Sequence, residues 1–399
     1  MTRALTFSGS FTQQEAISEE AIARAVDVLR SGRLHRYNLA PGEAGETALL
    51  EQEMAASLGV KRCLACASGG YALHIALKAF GVTGGEPVLT NAFTLSPVPG
   101  AIDNAGGTPC LVEITRDLVL DLEDLEAKIA ASRSRLLLLS HMRGHLVDME
   151  ALCSLLEARG VALIEDCAHT QGARWNGKPS GSFGLAACFS TQTYKHMNSG
   201  EGGLLVTDDA QLMARATLLS GSYMLYARNG TAPAEESFAP LRDITPNYSG
   251  RMDNLRAAIL RPQLAALPAQ VERWNARYRA VESILRQSND LYLPERPAVE
   301  GYVGSSIQFL VPGLSAAGCQ DLLRRCLERG VELKWFGAEE AQGFTSRHQN
   351  WAYMPAQALP RSDAILNQLF DMRLPLTFSL EDCRLIAEII LDCHKDSCG

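Results

Sequence analysis

From about residue 61 the sequence alternates between short apolar runs and amphipathic segments, and this alternation narrows the possible folds more than any other feature. Several of the runs are apolar on both faces, which is typical of parallel strands covered by helices on each side. The segments YALHIALKAFG and MEALCSLLEARG between them have the spacing of helices. The pattern therefore predicts an α/β domain with a large, mostly parallel sheet. The predicted strands are RCLACAS, EPVLTNA, TPCLVEI, RLLLLSHM, VALIEDCA, AACFSTQ and GGLLVTD.

The flanking sequence predicts an N-terminal helix and a second, smaller domain. Residues 12–31 carry apolar positions at helical spacing and stop at a Ser-Gly pair. A long helical stretch begins at RMDNLRAAI, and YVGSSIQFLVPG and VELKWF after it have the pattern of strands, followed by a final helix at LEDCRLIAEIILDC. We predict an N-terminal arm and large domain over residues 1–265, and a small α+β domain over residues 266–399.

Composition and charge favour a globular protein that binds small molecules. The formal net charge is -8 and no long run of Lys or Arg is present, so neither a nucleic-acid nor a membrane partner is predicted. Because no apolar run has the length of a membrane span and the first residues lack a signal-peptide pattern, we predict a cytoplasmic protein. The eleven cysteines fall mostly in apolar runs and predict reduced thiols, and Cys63 and Cys66 lack a second ligand pair, so no metal site is predicted.

Three motifs follow predicted strands and should meet at one edge of the sheet. Asp166 ends a buried strand, the SGG at residues 68–70 opens a helix where an anion could bind, and Lys195 lies in a glycine-flanked loop. Taken alone, each has a structural explanation: a helix cap or ion pair for Asp166, a tight turn for SGG, and a solvated surface charge for Lys195. Together they match the needs of pyridoxal phosphate, which are an amine for its aldehyde, a carboxylate for its ring nitrogen and an anion site for its phosphate.

The segment LIEDCAHTQGARWNGKPSGSFGLAACFSTQTYKHMNSGEGGLLVTDD resembles the signature of the DegT/DnrJ/EryC1/StrS family, the sugar and cyclitol aminotransferases of aspartate-aminotransferase fold type I. The resemblance continues in ACASGGYALHIAL, VLTNAFTLSPVPGAIDNAGGTPCLVEI, SHMRGHLVDMEAL and RMDNLRAAILRPQL, and covers most of residues 15–265. It implies the three-layer fold of the pyridoxal-phosphate-dependent transferases, with a large domain and a smaller C-terminal one. It also implies a homodimer whose active sites are shared between subunits.

The resemblance also implies roles for individual residues. Lys195 would be the Schiff-base lysine, Asp166 the partner of the pyridinium nitrogen, and His169 a catalytic residue near the ring. The residues implied at the cofactor's phosphate are Ser68, Gly69, Gly70 and Ser190.

Three positions depart from the family's pattern. Gly70 stands where members usually have threonine. The ring-stacking aromatic usually falls at the position of Leu95, so either Phe93 shifts inward or Leu95 covers the ring. In NYSGRM, which is two residues longer than the family's motif, Asn247 is predicted to reach the phosphate of the neighbouring subunit, with Ser249 as the alternative.

The implied function is transfer of an amino group from glutamate or glutamine to the keto group of a nucleotide-linked sugar or a cyclitol. One alternative is a pyridoxal-phosphate-dependent sugar dehydratase or another reaction of this fold, although those dehydratases have histidine where Lys195 stands. The other is a non-catalytic regulatory protein that binds the cofactor. Arg143 stands where relatives commonly have an aromatic residue, which indicates altered substrate contacts. Further candidates for substrate binding are Arg33, His35, Arg36, Tyr37, Trp335, Phe336, Arg347 and His348.

Overall fold

The computed structural model describes residues 5–222 and 224–397, whose strands form three sheets. In chain order the strands are β1 (Arg62–Cys66), β2 (Glu86–Asn91), β3 (Gly107–Val112), β4 (Leu136–Ser140), β5 (Ala162–Asp166), β6 (Arg174–Trp175), β7 (Lys178–Pro179), β8 (Ala186–Ser190), β9 (Gly203–Thr207), β10 (Glu300–Gly301), β11 (Ser306–Leu310), β12 (Lys334–Trp335) and β13 (Leu369–Arg373). All seven strands predicted from the apolar runs form one sheet in the order β1-β9-β8-β5-β4-β2-β3. Within these described strands β9 alone runs antiparallel to its neighbours, so the predicted mostly parallel sheet is confirmed.

Helices cover both faces of the large sheet. The helices are α1 (Glu19–Ser31), α2 (Glu46–Leu58), α3 (Gly69–Phe80), α4 (Pro97–Ala105), α5 (Leu122–Ser132), α6 (Met149–Arg159), α7 (Ala210–Leu219), α8 (Asn254–Leu285), α9 (Ala316–Glu328), α10 (Pro360–Leu366) and α11 (Leu380–Ser397). In β4, Leu136 and Leu138 pack with α3, α4 and α7, whereas Leu137 and Leu139 pack with α5 and α6. Side chains alternate between the faces of a strand, so this run of four leucines supplies two separate cores.

The N-terminal helix is shorter than the sequence predicts. It begins at Glu19 because Ser18 caps it, accepting a hydrogen bond from Ala21 N at 3.3 Å. Residues 12–18 therefore lie outside the helix. Ahead of them, Phe7 and Phe11 pack edge-to-face against Phe378, with ring centroids 5.0 and 4.9 Å apart, and join the core of the C-terminal part. The N-terminal arm is thus fixed to the smaller domain.

The C-terminal part has its own sheet and core. Strands β11, β13 and β12 form an antiparallel sheet in that order, and α8, α9 and α11 pack on it. Both predicted strands and the predicted final helix are present. Helix α8 runs without interruption across residue 265, where the domain boundary is predicted, and that boundary stays a prediction.

Two further sequence expectations concern cysteines and membranes. The described cysteines are all free thiols, and Cys63 and Cys66 on β1 are buried in different cores, on opposite faces of the strand. Among the residues that the structure describes, none of the helices combines the length and the apolar composition that a bilayer span requires.

Candidate active site

The carboxyl ends of β4, β5 and β8 open into one cavity of about 360 Å³. Parallel strands end at the same edge of a sheet, so residues distant in sequence meet there. Most of the predicted site residues line this cavity: Ser68, Gly69, Gly70, Leu95, Asp166, His169, Ser190 and Lys195. The three motifs that follow predicted strands therefore do converge.

Asp166 is held at the floor of the cavity as the last residue of β5. Its side chain is 6% exposed. Ser140 Oγ donates to Oδ2 at 3.1 Å, and Ala168 N donates to Oδ1 at 3.1 Å. Burial raises the pKa of Asp166, while the Ala168 amide and the nearby Lys195 ammonium act in the opposite direction. The carboxylate is therefore fixed in place, and a cation beside it would stabilise its ionised form.

Lys195 lies in the turn after β8, and its Nζ is 2.8 Å from His169 Nε2. Burial, together with the positive charge of Arg143, lowers the pKa of Lys195 to about 7, although Asp166 opposes the shift. Burial and the Lys195 charge also hold the pKa of His169 well below its usual range. His169 is therefore neutral, and its Nε2 shares a hydrogen bond with the Lys195 amine. Near neutral pH a large share of the Lys195 amine is uncharged and able to act as a nucleophile.

The low pKa of Lys195 should make the stability of the cofactor-free protein depend on pH. The unfolded chain, with a lysine pKa near 10.5, binds more protons than the folded one between about pH 7 and that value. The loss of folding free energy that Lys195 causes is therefore largest below about pH 7 and decreases as the pH rises. We expect Lys195→Met to raise the melting temperature most at about pH 7 and least at about pH 10. Exposed Lys178 supplies the control variant Lys178→Met, and a gain from Lys195→Met that is equal at every pH would contradict the shift.

Ser68 and Gly69 form a cradle where β1 passes into α3. Ser68 is the N-cap of the helix, and its Oγ accepts a hydrogen bond from Tyr71 N at 3.1 Å. A Cβ on Gly69 would stand 2.7 Å from Ser190 Cβ and 3.1 Å from Ser190 Cα, so only glycine lets the helix approach the end of β8 this closely. The arrangement places a positive helix end and the Ser190 hydroxyl side by side, which suits a phosphate group.

Two glycine variants test the cradle. Gly69→Ala forces the helix end away from Ser190, and we expect the affinity for pyridoxal phosphate to fall at least about 10-fold. Gly84→Ala is the control, because Gly84 lies outside the cavity and its Cβ would meet no atom within 4 Å. Equilibrium titration of both cofactor-free variants with pyridoxal phosphate measures the difference. Equal affinities would show that the cradle does not bind the cofactor.

Three residues named in the sequence predictions lie outside the cavity. Phe93 is buried beneath it, with its ring centroid 5.1 Å from that of Phe336 in an edge-to-face contact, and Leu95 is the residue that lines the cavity. Asn247 and Ser249 are exposed and do not line the cavity of their own chain. Their role at a neighbouring subunit stays a prediction.

The residues suggested by sequence for substrate binding have other contacts. Buried Arg36 pairs with Glu51 at 2.8 Å, and Trp335 Nε1 donates to Asn367 O at 2.8 Å. None of the eight candidates near the N-terminus and in the smaller domain lines the cavity formed by the described residues. Arg36 and Trp335 are thus held by contacts within this chain, and the substrate-binding roles of the eight residues stay predictions.

Sequence reasoning missed several residues that do line the cavity. Ser140 ends an apolar run in the same way as Asp166, so the strand-end argument could have found it. Lys334 and Arg373 come from the smaller sheet, and nothing in their local sequence marks them. The cavity is consequently more basic than the motifs of the large domain indicate.

One group of buried residues has the composition of a metal site. His141, Glu165 and Cys167 place possible ligand atoms within 4.8 Å of one another. The Glu165 carboxylate, however, already accepts hydrogen bonds from the backbone amides of residues 181, 183 and 184 and lies 3.1 Å from His141 Nε2. These hydrogen bonds account for the buried charge of Glu165 and give the residue a structural role.

The arrangement of these residues agrees with the match of this sequence to a known protein family. The sequence profile of the DegT/DnrJ/EryC1/StrS aminotransferase family matches residues 15–391. The chain belongs to this family. The predicted fold is confirmed with it: a solved structure of 3-amino-5-hydroxybenzoic acid synthase is similar, with a TM-score of 0.83 and 25% identity over 97% of this chain and 99% of that one.

Two curated relatives within the DegT/DnrJ/EryC1/StrS family illustrate its range. A "Pleiotropic regulatory protein" of Geobacillus stearothermophilus is 30% identical over 58% of each chain. An "L-glutamine:2-deoxy-scyllo-inosose aminotransferase" of Streptomyces lividus is 31% identical over 67% of this chain and 62% of its own length. In both cases the similarity spans less than two thirds of the relative.

Proposed function

We propose that this protein is a pyridoxal-phosphate-dependent aminotransferase that moves an amino group from glutamate or glutamine to a keto group of a sugar or cyclitol. The observation that carries the proposal is the cavity in which Lys195, with its depressed pKa, and buried Asp166 lie beside the cradle at the start of α3. Membership of the aminotransferase family supports the same conclusion.

The residues present fit this cofactor. Ser68, Gly69 and Ser190 would hold its phosphate, since glycine removes the Cβ that would otherwise fill the space. Lys195 would bind its aldehyde and Asp166 its ring nitrogen. When bound, pyridoxal phosphate supplies a carbonyl group that condenses with amines and a ring that withdraws electrons.

The side chains themselves explain how protons move. With a pKa of about 7, lowered by burial and by Arg143, the Lys195 amine can take up a proton and return it at neutral pH. Its hydrogen bond to neutral His169 orients Nζ within the cavity. Asp166 keeps a negative charge at a fixed place, and in this buried site its attraction for a cation is several-fold stronger than in water.

The substrates are inferred from the relatives. The name of the Streptomyces lividus relative gives glutamine as the donor and a cyclitol ketone as the acceptor, and we infer the same classes for this chain. We include acceptor sugars that are linked to a nucleotide in the same proposal. Because we expect such substrates in the cytoplasm, we also propose a cytoplasmic location.

We also infer a homodimer with shared active sites. The segment around Asn247 exposes two large apolar residues, Ile244 at 75% and Tyr248 at 64%. Exposed apolar side chains of this size are typical of a surface that another chain covers. Analytical ultracentrifugation of the purified protein measures the association, and a monomer at all accessible concentrations would contradict it.

The test of the proposed function has two halves. Adding L-glutamate or L-glutamine to the protein loaded with pyridoxal phosphate should release the matching keto acid and bleach the visible absorption. Keto-sugars and keto-cyclitols should then restore that absorption. A dehydratase would release no keto acid. The regulatory name of the Geobacillus stearothermophilus relative favours the alternative of a non-catalytic protein, which would show no spectral change with either donor.

A further inference from the structure

One wall of the active-site cavity carries three cations around a single carboxylate. Asp371 and Arg373 lie two residues apart on β13 and so face the same side of the small sheet. Lys334 on β12 is the register partner of Asp371. Arg143, from the turn after β4, places Nη2 2.7 Å from Asp371 Oδ2. We call Arg143, Lys334 and Arg373 the cationic wall; all three line the cavity.

Arg143 has an unusual backbone conformation, and its guanidinium has a hydrogen-bond donor without a partner among the described residues. Its φ of 56° and ψ of 22° are left-handed, a conformation that a residue with a Cβ adopts only when its surroundings impose it. The side chain is 8% exposed, and Nε is buried without a hydrogen-bond partner among the described residues. A buried guanidinium with an unused donor is suited to a ligand that completes its hydrogen bonds.

A chain of directed hydrogen bonds fixes the carboxylate that orients Arg143. Burial, with Arg296 nearby, holds the pKa of His145 well below its usual range, so the ring is neutral. Its Nε2 lies 2.8 Å from Gln308 Oε1, which can only accept, and Nε2 therefore carries the proton. Gln308 Nε2 in turn donates to Asp371 Oδ1 at 2.8 Å. Asp371 Oδ2 is left pointing at Arg143.

The cationic wall is separate from the phosphate cradle. The cradle adjoins Ser190 at the end of β8, whereas Arg143 follows Ser140 at the end of β4. Strand β5, with Asp166, lies between them. The ends of β8 and β4 lie two strand spacings, or roughly 10 Å, apart, so the cradle and the cationic wall occupy different parts of the cavity. An anion at Arg143 is therefore a second anion, on the other side of Asp166.

We propose that Arg143 binds a carboxylate group of the substrate, that Arg373 and Lys334 support it through their charge, and that Asp371 acts as the positioning residue. The proposal rests on the proposed function, because it concerns the substrate of that site. A guanidinium matches a planar carboxylate with two parallel hydrogen bonds, and the excess of positive charge in the wall favours any anion that enters. The carboxylate belongs either to the amino donor or to a keto acceptor that itself carries one.

The deciding measurement is calorimetric titration of the cofactor-loaded protein with glutarate, a dicarboxylate that has no amine to react. Arg143→Met should weaken glutarate binding about 10- to 100-fold, and Arg143→Lys should weaken it less because the charge remains. Asp371→Asn, which keeps the shape of the side chain, should weaken binding several-fold without changing the visible absorption of the cofactor. Exposed Arg324 supplies the control variant Arg324→Met, which should bind as the native protein does.

Three results would overturn the proposal. They are glutarate binding that is equal in the native protein and in Arg143→Met, no glutarate binding by the native protein, and Arg143-dependent binding of inorganic pyrophosphate but not of glutarate. If Arg143→Met does not fold, the comparison of Arg143→Lys and Asp371→Asn with the native protein decides in the same way. Retained visible absorption shows that the cavity of each variant is intact.

Single-turnover reactions identify the source of the carboxylate. If it belongs to the donor, Arg143→Met raises the L-glutamate concentration needed for half-maximal bleaching. If it belongs to the acceptor, that concentration is unchanged and only the return of absorption with a carboxylate-bearing ketone, 3-oxocyclohexanecarboxylate, is slowed. Failure of the proposed function appears separately, as a native protein that releases no keto acid while it still binds glutarate through Arg143.

Discussion

Lys195→Ala is expected to abolish the visible absorption of the bound cofactor and, with it, turnover by at least about 10³-fold. The reason is that Lys195 supplies both the amine that holds the aldehyde and the group that moves the proton, and its neighbour His169 has too low a pKa to replace it as a base. Absorption spectra and keto acid release from L-glutamate, measured on the same preparation, test both losses together.

The control for this variant is Lys178→Ala, at an exposed lysine of the β6–β7 hairpin. It should keep both the spectrum and the rate of the native protein. Turnover by Lys195→Ala at more than a small fraction of the native rate would show that another residue binds the cofactor, and the proposed function would then lose its main support.

Asp166→Asn is expected to reduce kcat about 10²- to 10³-fold while leaving the fold intact. Asparagine can accept the hydrogen bond from Ala168 N through Oδ1 and can donate one to Ser140 Oγ through Nδ2. The variant therefore removes the charge and keeps the shape of the side chain. An ion pair at contact distance is worth about 4 kcal/mol at an effective dielectric constant of about 20, and that value corresponds to a factor of about 10³ in rate. Steady-state kinetics with a saturating donor measures the change.

Ser140→Ala provides the comparison for the aspartate variant. It removes one hydrogen bond to the carboxylate but keeps the charge, so we expect a loss of about 10-fold or less. If Asp166→Asn and Ser140→Ala lose the same amount of activity, the charge of Asp166 does not contribute and the predicted contact with the ring nitrogen is wrong.

The large sheet was predictable because its strands are apolar runs of five or six residues with helical segments between them. Strands β6, β7, β10 and β13 were missed; the first three are only two residues long and contain no periodicity. The start of α1 was placed too early for a related reason. The apolar spacing extends ahead of the helix, and the hydrogen bond of Ser18 decides where it begins.

Within the active site, strand ends were predictable and contacts between domains were not. Asp166 was found because it ends an apolar run, whereas Ser190 was implied by the family resemblance; both lie at strand ends, which a parallel sheet brings together. The choice between Phe93 and Leu95 depends on how an irregular segment turns, which spacing alone does not determine. The pairing of Arg143 with Asp371 joins the turn after β4 to the small sheet, two distant parts of the sequence, and no local pattern signals it.

The contacts of Phe7 and Phe11 bear on the order in which a ribosome completes this protein. Both rings leave the ribosome long before their partner Phe378 and the following helix α11 are synthesised. Until Phe378 has been synthesised, the nascent polypeptide carries two aromatic rings without this partner, and chaperones or aggregation compete for them in that interval. A bulky group attached beside Phe7 would accordingly disturb a late stage of folding, when the two rings meet Phe378.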